Sequence, residues 1–175
     1  LWRRPNFVIK LKVMKSLALI PPSFLLLVST SLADWPFWRG DLAGSGVTTE
    51  TKLPTEWDKE KNVKWRVALS EAGNSSPVIS GDRIFLTQPN TEKKLRGLLC
   101  LDRKSGKTLW EKSVEYDAKE RTHRTNHFCS SSPATDGERV IVAYGSAGIY
   151  CYSVDGRELW RRDLGTIDHV WVYGS

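Results

Sequence analysis

Methionine, cysteine and histidine are scarce in this chain, at one, three and three in 175 residues. None of the cysteines and histidines stands at a standard metal-ligand spacing, so the common zinc signatures are excluded. The chain has no Gly-Gly dipeptide, no Gly-x-Ser-x-Gly elbow, no phosphate-binding glycine loop and no paired-carboxylate motif. A serine hydrolase built on that elbow and a nucleotide-phosphate cradle therefore lack support. Acidic residues are missing from positions 1–33, which carry five basic ones, Arg3, Arg4, Lys10, Lys12 and Lys15. Beyond them, 21 Lys and Arg face 20 Asp and Glu, so most of the formal +6 belongs to the N-terminus. The rest of the chain has no basic arm of the kind nucleic-acid binding needs.

Long apolar runs are missing too. Leu17 to Val28 is mostly apolar, but Pro21-Pro22 interrupt it, and it falls short of the ~20 residues that cross a bilayer. It follows Met14 and Lys15 and precedes Ser31-Leu32-Ala33, a small-x-small pattern. This order reads as a secretory signal peptide cleaved before Asp34, giving a leader over 1–33 and a periplasmic or extracellular product. No cysteine stands at the cleavage point, so lipid anchoring is not expected. Translation starts at Met14, with residues 1–13 an upstream artefact, or at Leu1 with a longer basic leader.

What is present is a repeat. Cys100-Leu-Asp-Arg-Lys-Ser-Gly-Lys-Thr-Leu-Trp110 returns as Cys151-Tyr-Ser-Val-Asp-Gly-Arg-Glu-Leu-Trp160, one residue shorter. Gly106 and Gly156, and Trp110 and Trp160, stand 50 positions apart. Asp102, Ser105 and Gly106 supply a tight turn, the Asp by capping backbone amides and the Gly by taking positive φ. Upstream, Ser75-Ser76-Pro77-Val78 matches Ser131-Ser132-Pro133-Ala134 at an offset of 56. A period near 50 made of short strands signals a repeat architecture. The spacing predicts strands near 76–80, 83–88, 96–102 and 108–115, then near 132–135, 139–144, 148–154 and 158–164. Four antiparallel strands per unit, set radially, make a β-propeller blade, and the fold class is all-β.

WD40 and kelch patterns fit less well, since only an isolated Trp57-Asp58 and no Gly-Gly occur. The motif resembles the quinoprotein-type or PQQ-like repeat, Ala-x-Asp-x-x-Thr-Gly-x-x-x-Trp. The first copy has Cys100 for Ala and Ser105 for Thr; the second lacks the early Asp. The resemblance covers residues 63–175. The opening Asp34-Trp35-Pro36-Phe37-Trp38-Arg39-Gly40 is similar to the Trp-Pro-x-Trp-Arg-Gly start of secreted PQQ-like proteins of bacteria such as planctomycetes. Residues 34–62 form a lead-in whose tryptophans pack in a groove between blades or, on the functional reading, make a sugar-binding platform. Asn62 to Leu69 resembles a lone outer strand that ends on another blade, with Trp65 matching Trp110 and Trp160. The count is then one lone strand, two full blades and a third beginning near Val170. Closed propellers of four to eight blades need more, so the chain is expected to be an N-terminal fragment or a truncated frame. The first blade's face around Val78, Ile84, Leu99 and Leu109 is expected to stand uncovered.

The candidate chemistry is thin. Cys100 and Cys151 occupy equivalent positions in neighbouring sheets, about 10 Å apart, beyond disulfide reach, so buried free thiols are expected. His123, His127, Cys129 and His169 fall in two loops that meet on one face near the propeller axis. As His and Cys ligands they suit zinc or copper, although loop histidines mostly hydrogen-bond their neighbours. The serines at 75–76 and 130–132 fit the narrow axis as small packing residues. The leading reading is an exported, non-catalytic scaffold that binds a protein or surface polymer. Its repeats are similar in type to the outer-membrane assembly propeller lipoprotein. The alternative is a piece of a quinoprotein dehydrogenase, and that resemblance implies pyrroloquinoline quinone and calcium on the axis. Its Asp base, Glu/Asn calcium ligands and adjacent-cysteine pair do not map onto this chain. Otherwise no cofactor is expected. Exposed tryptophans leave carbohydrate binding as a third reading.

Overall fold

Each repeat closes into one four-stranded antiparallel sheet. The computed structural model describes residues 34–117, 120 and 122–167, all of them within one unit, Ser31–Ser175. The expected leader, His169 and Val170 lie outside the described residues. The first sheet runs β1 (Val78–Ser80), β2 (Arg83–Asn90), β3 (Leu95–Asp102) and β4 (Thr108–Glu115) in spatial order. The second repeats it with β5 (Ala134–Thr135), β6 (Arg139–Ala143), β7 (Ile149–Ser153) and β8 (Glu158–Arg162). A short 3₁₀ turn, Gly145–Ala147, joins β6 to β7. This is the architecture of an unclosed β-propeller.

Proline sets the inner boundaries. The expected starts at 76 and 132 move to Val78 and Ala134, because Pro77 and Pro133 just before them have no N–H for a ladder. The serines there serve the backbone instead. Ser75 Oγ accepts the Thr87 N–H at 3.0 Å and Ser132 Oγ accepts the Ser76 N–H at 2.8 Å. Pro89 is tolerated inside β2 for a related reason. The Thr87 N–H points to the β1 side, and Pro89, two residues on, shares that side beyond the end of β1. Its missing donor costs no ladder bond.

The register is the same in both sheets. Phe85, Cys100 and Trp110 lie in one row, as do Ile141, Cys151 and Trp160, and a bulge follows the cysteine each time. Residues of that row and its neighbours in the first sheet face the second sheet. Val78, Phe85, Leu98 and Cys100 pack with Val140, Val142, Tyr144 and Tyr152 in one core, and Trp110 and Val114 lie against it.

The other face of the first sheet differs from expectation in two ways. Val78 is in the inter-sheet core, and Leu99, 4 % exposed, packs with Leu86 and Leu101 beneath Trp65 and Ile84. Only Leu109 of the expected set is exposed. Trp65 therefore does what a preceding sheet does. Residues 62–69 nevertheless form no strand. A strand needs a partner for its backbone, and this stretch has no ladder partner among the described residues.

The tryptophans set the spacing between units. Trp65 seats on the Gly106 turn and donates its Nε1–H to the Arg103 carbonyl at 3.0 Å. Trp110 seats on the Gly156 turn and donates to the Val154 carbonyl at 3.0 Å. A Cβ on Gly106 would lie 2.6 Å from the Trp65 ring, and one on Gly156 would lie 2.9 Å from Trp110. Both glycines also have positive φ, at 72° and 86°. They are required twice over, by conformation and by contact. Trp160 has the equivalent position in the second sheet and is 38 % exposed.

Candidate functional site

The turns at the far ends of the sheets are structural. Asp102 Oδ1 accepts the Ser105 N–H at 2.7 Å and the Ser105 hydroxyl at 2.6 Å, and the Gly106 N–H closes on the Asp102 carbonyl at 2.8 Å. Those hydrogen bonds, the Ser105 hydroxyl first, hold the Asp102 carboxyl below its ordinary value. Ser153 replaces Asp102 in the second repeat. Its carbonyl accepts Gly156 N–H at 2.8 Å and its hydroxyl accepts Arg157 N–H at 3.2 Å. A hydroxyl reaches less far than a carboxylate, which suits a turn one residue shorter.

The loops 70–77 and 122–132 meet at the opposite end. Asn74 Nδ2 donates to the Thr125 carbonyl at 2.8 Å and to Asn126 Oδ1 at 3.2 Å. Ser70 is tied to β2 through Gln88 and the Pro89 carbonyl, and Glu71 accepts the Thr91 hydroxyl just past the end of that strand. The expected metal candidates separate here. His123 is exposed and its Nδ1 lies 2.8 Å from Thr125 Oγ1, in a local turn. His127 is exposed on the same loop, while Cys129 is buried. Among the described residues no three His, Cys, Asp or Glu side chains gather where a metal ion would sit.

Cys129 sits under this loop with a backbone φ of 58°, unusual for a residue with a side chain. Thr87 Oγ1 lies 2.8 Å from both the Cys129 and the Ser131 carbonyls and holds that turn. Burial pushes the Cys129 thiol up to about 11, against the Gly97 amide and the Arg96 charge, which oppose it. Burial likewise pushes Cys100 up to about 12. All three cysteines are free and buried, so they are thiols and not thiolates at neutral pH.

Arg96 is a feature the sequence does not announce. It lies on β3 with its side chain 3 % exposed, its guanidinium 3.6 Å from the Phe128 ring centre and 5.9 Å from that of Tyr116. Glu120 is 3.9 Å away, and Nε has no hydrogen-bond partner among the described residues. A buried cation stacked on an aromatic ring and facing one carboxylate is a loop anchor. It fixes the chain leaving the first sheet to the sheet it has left. One Arg in an apolar strand gives no sequence signal for this.

The lead-in divides its tryptophans. Trp35 packs on Gly40, while Trp38 is 65 % exposed with Arg39 5.8 Å above its ring. Leu42, Val47, Leu53 and Trp57 are also exposed, Trp57 at 70 %. Lys52, Pro54, Asn62, Val63 and Lys64 line a shallow open hollow beside this run. Among the described residues this arrangement offers contact surface.

Residues 44–166 match the family model described as outer membrane protein assembly factor BamB. Comparison with curated proteins gives no match. BamB from Moraxella catarrhalis is 22% identical over 57% of this chain and 26% of its own, with a TM-score of 0.39. A europium-containing methanol dehydrogenase is 14% identical over 77% of this chain and 23% of its own, with a TM-score of 0.52, a likeness of fold. Quinohemoprotein alcohol dehydrogenase from Comamonas testosteroni is 15% identical over 82% of this chain and 21% of its own, with a TM-score of 0.48. The chain spans only about a quarter of the length of these solved structures, at 26%, 23% and 21%. On the strength of the matched repeats, the chain belongs to the PQQ-like repeat family described as outer membrane protein assembly factor BamB.

Proposed function

We propose that this chain is part of an exported, non-catalytic propeller scaffold that binds another protein of the cell envelope. The observation that carries the reading is the exposed aromatic and aliphatic run of the lead-in, Trp38, Leu42, Val47 and Trp57, set beside rigid sheets. Exposed apolar residues grouped along one segment are characteristic of protein contacts. The family supports the same direction, since its described member is an assembly factor. Export rests on the order of charge and apolar residues over Met14–Ala33. No helix among the described residues is long and apolar enough to cross a membrane.

The alternative reading is a piece of a quinoprotein dehydrogenase, which would hold pyrroloquinoline quinone and calcium through convergent carboxylate and amide ligands. The scaffold reading is favoured because Asp102, the one repeat-motif carboxylate, caps the Ser105 amide of its own turn. The deciding experiment places a photo-crosslinking residue at position 38, 57 or, as a control in the packed turn, 105 of the exported protein. Discrete adducts with one envelope protein at 38 and 57, and none at 105, are expected. Quinone absorbance that survives dialysis, together with dye-linked alcohol oxidation, would replace the scaffold reading with the dehydrogenase one. Retention of a surface polysaccharide, lost in Trp38→Ala, would instead favour the sugar platform.

A further inference from the structure

The inner strand of a propeller blade has one edge paired within its sheet and one edge free. Here both inner strands have their free edges occupied by the same short segment. Trp35 pairs antiparallel with Ile79 of β1, its N–H donating to the Ile79 carbonyl at 2.9 Å and its carbonyl accepting the Ile79 N–H at 2.8 Å. One residue on, the Pro36 carbonyl accepts the Thr135 N–H of β5 at 3.0 Å. One residue back, Asp34 Oδ1 accepts the Gly81 N–H at 2.8 Å. Three consecutive residues thus satisfy backbone groups of two different sheets.

The segment also carries its own lock. Phe37 and Gly40 exchange both backbone hydrogen bonds, at 3.1 and 3.0 Å, which folds the chain back so that Gly40 lies under the Trp35 ring. A Cβ on Gly40 would stand 2.9 Å from that ring, and its φ is 88°. Pro36 has no N–H, so the added strand cannot template a further one. Past Gly40, the chain to Leu69 forms no strand and is largely exposed. The segment is bound at a few points and tethered loosely.

We propose that the free edges of β1 and β5 form a peptide-docking site for an extended Trp-Pro strand, occupied in cis by this chain's own Asp34–Gly40. Backbone pairing gives the affinity, as in strand addition generally, and the Trp35 ring on Gly40 holds the segment in the folded-back shape that presents it. Because its bonds are few, the strand opens without the sheets unfolding, and the same peptide supplied in trans takes its place.

Hydrogen exchange followed by mass spectrometry on the full chain tests this. In Gly40→Ala, segments 77–82 and 133–136 should exchange at least about tenfold faster than in the parent, while 97–101 in β3 is unchanged. Added peptide Asp-Trp-Pro-Phe-Trp-Arg-Gly should slow both segments again, and the same peptide with its first Trp changed to Ala should not. Trp35→Ala carries the same measurement should Gly40→Ala precipitate. Unchanged exchange in the two edge segments, acceleration of all three segments together, or no effect of the parent peptide would each overturn the proposal.

Discussion

Trp110 and Trp160 are the same residue of the repeat in different surroundings, and that difference is measurable. Trp110 lies on Gly156 and donates to the Val154 carbonyl, whereas Trp160 is 38 % exposed. Trp110→Ala should cost about 3 kcal/mol in a denaturant titration, the lower part of the range for buried aromatics. Trp160→Ala should cost about 1 kcal/mol, an ordinary value for a point mutant. Equal losses would mean that the indole seat contributes nothing. Asp102 gives a prediction in pH. Its folded carboxyl is held below the ordinary aspartate value by the Ser105 hydrogen bonds. Its contribution to stability is therefore complete above that ordinary value, about 3.9, and is lost as pH falls through the lower folded value. The Ser105 amide resonance should follow that low midpoint, and Asp102→Asn should remove the dependence. The thiols are the third case. With Cys129 pushed up to about 11 and Cys100 to about 12, a disulfide reagent at pH 8 should label neither until denaturant is added.

Regular elements were the most legible in the sequence, because they carry the signals a repeat multiplies. The strands near 83–88, 108–115 and 158–164 appear as Arg83–Asn90, Thr108–Glu115 and Glu158–Arg162. The turn glycines and the Trp at fixed distance mark where each hairpin reverses, and two copies of one signal outweigh any single propensity. The inner strands were the least accurate, since Pro77 and Pro133 delay pairing. Asn62 to Leu69 looked like a strand because its side chains follow the outer-strand pattern, but the ladder that would make it one is missing among the described residues. The candidate site was mostly illegible. His123, His127 and Cys129 are near in sequence, yet the thiol is buried while both rings face solvent. Arg96 was invisible because its meaning lies in Phe128 and Glu120, which reach it only after the loop folds back. That contact is testable at the scale of the loop. Arg96→Ala should raise trypsin cleavage at Arg124 several-fold in a timed digest, with Lys104 cut no faster.

At the scale of the whole molecule, the two sheets cover one face of each other and Trp65 covers the outer face of the first. The outer face of the second keeps Ile141 and Trp160 exposed, at 40 % and 38 %, on either side of the buried Cys151. A row of exposed apolar residues on a sheet face favours association. Residues 34–175 alone should therefore self-associate in light scattering, and Ile141→Lys with Trp160→Lys should lower the apparent mass toward one chain. A monomer without those changes would show that the face is covered in solution. The docking of one unit on the next has a wider consequence. Trp65 and Trp110 are each received by a carbonyl oxygen and a glycine, groups that carry no side-chain identity. The second turn lacks the Asp and one residue of the first, and still receives its tryptophan at the same 3.0 Å. Units joined through backbone are interchangeable in a way that units joined by complementary side chains are not. Sequence drift within a turn that keeps its glycine leaves its neighbour unaffected, and duplication or exchange of a whole unit demands no matching change across the joint.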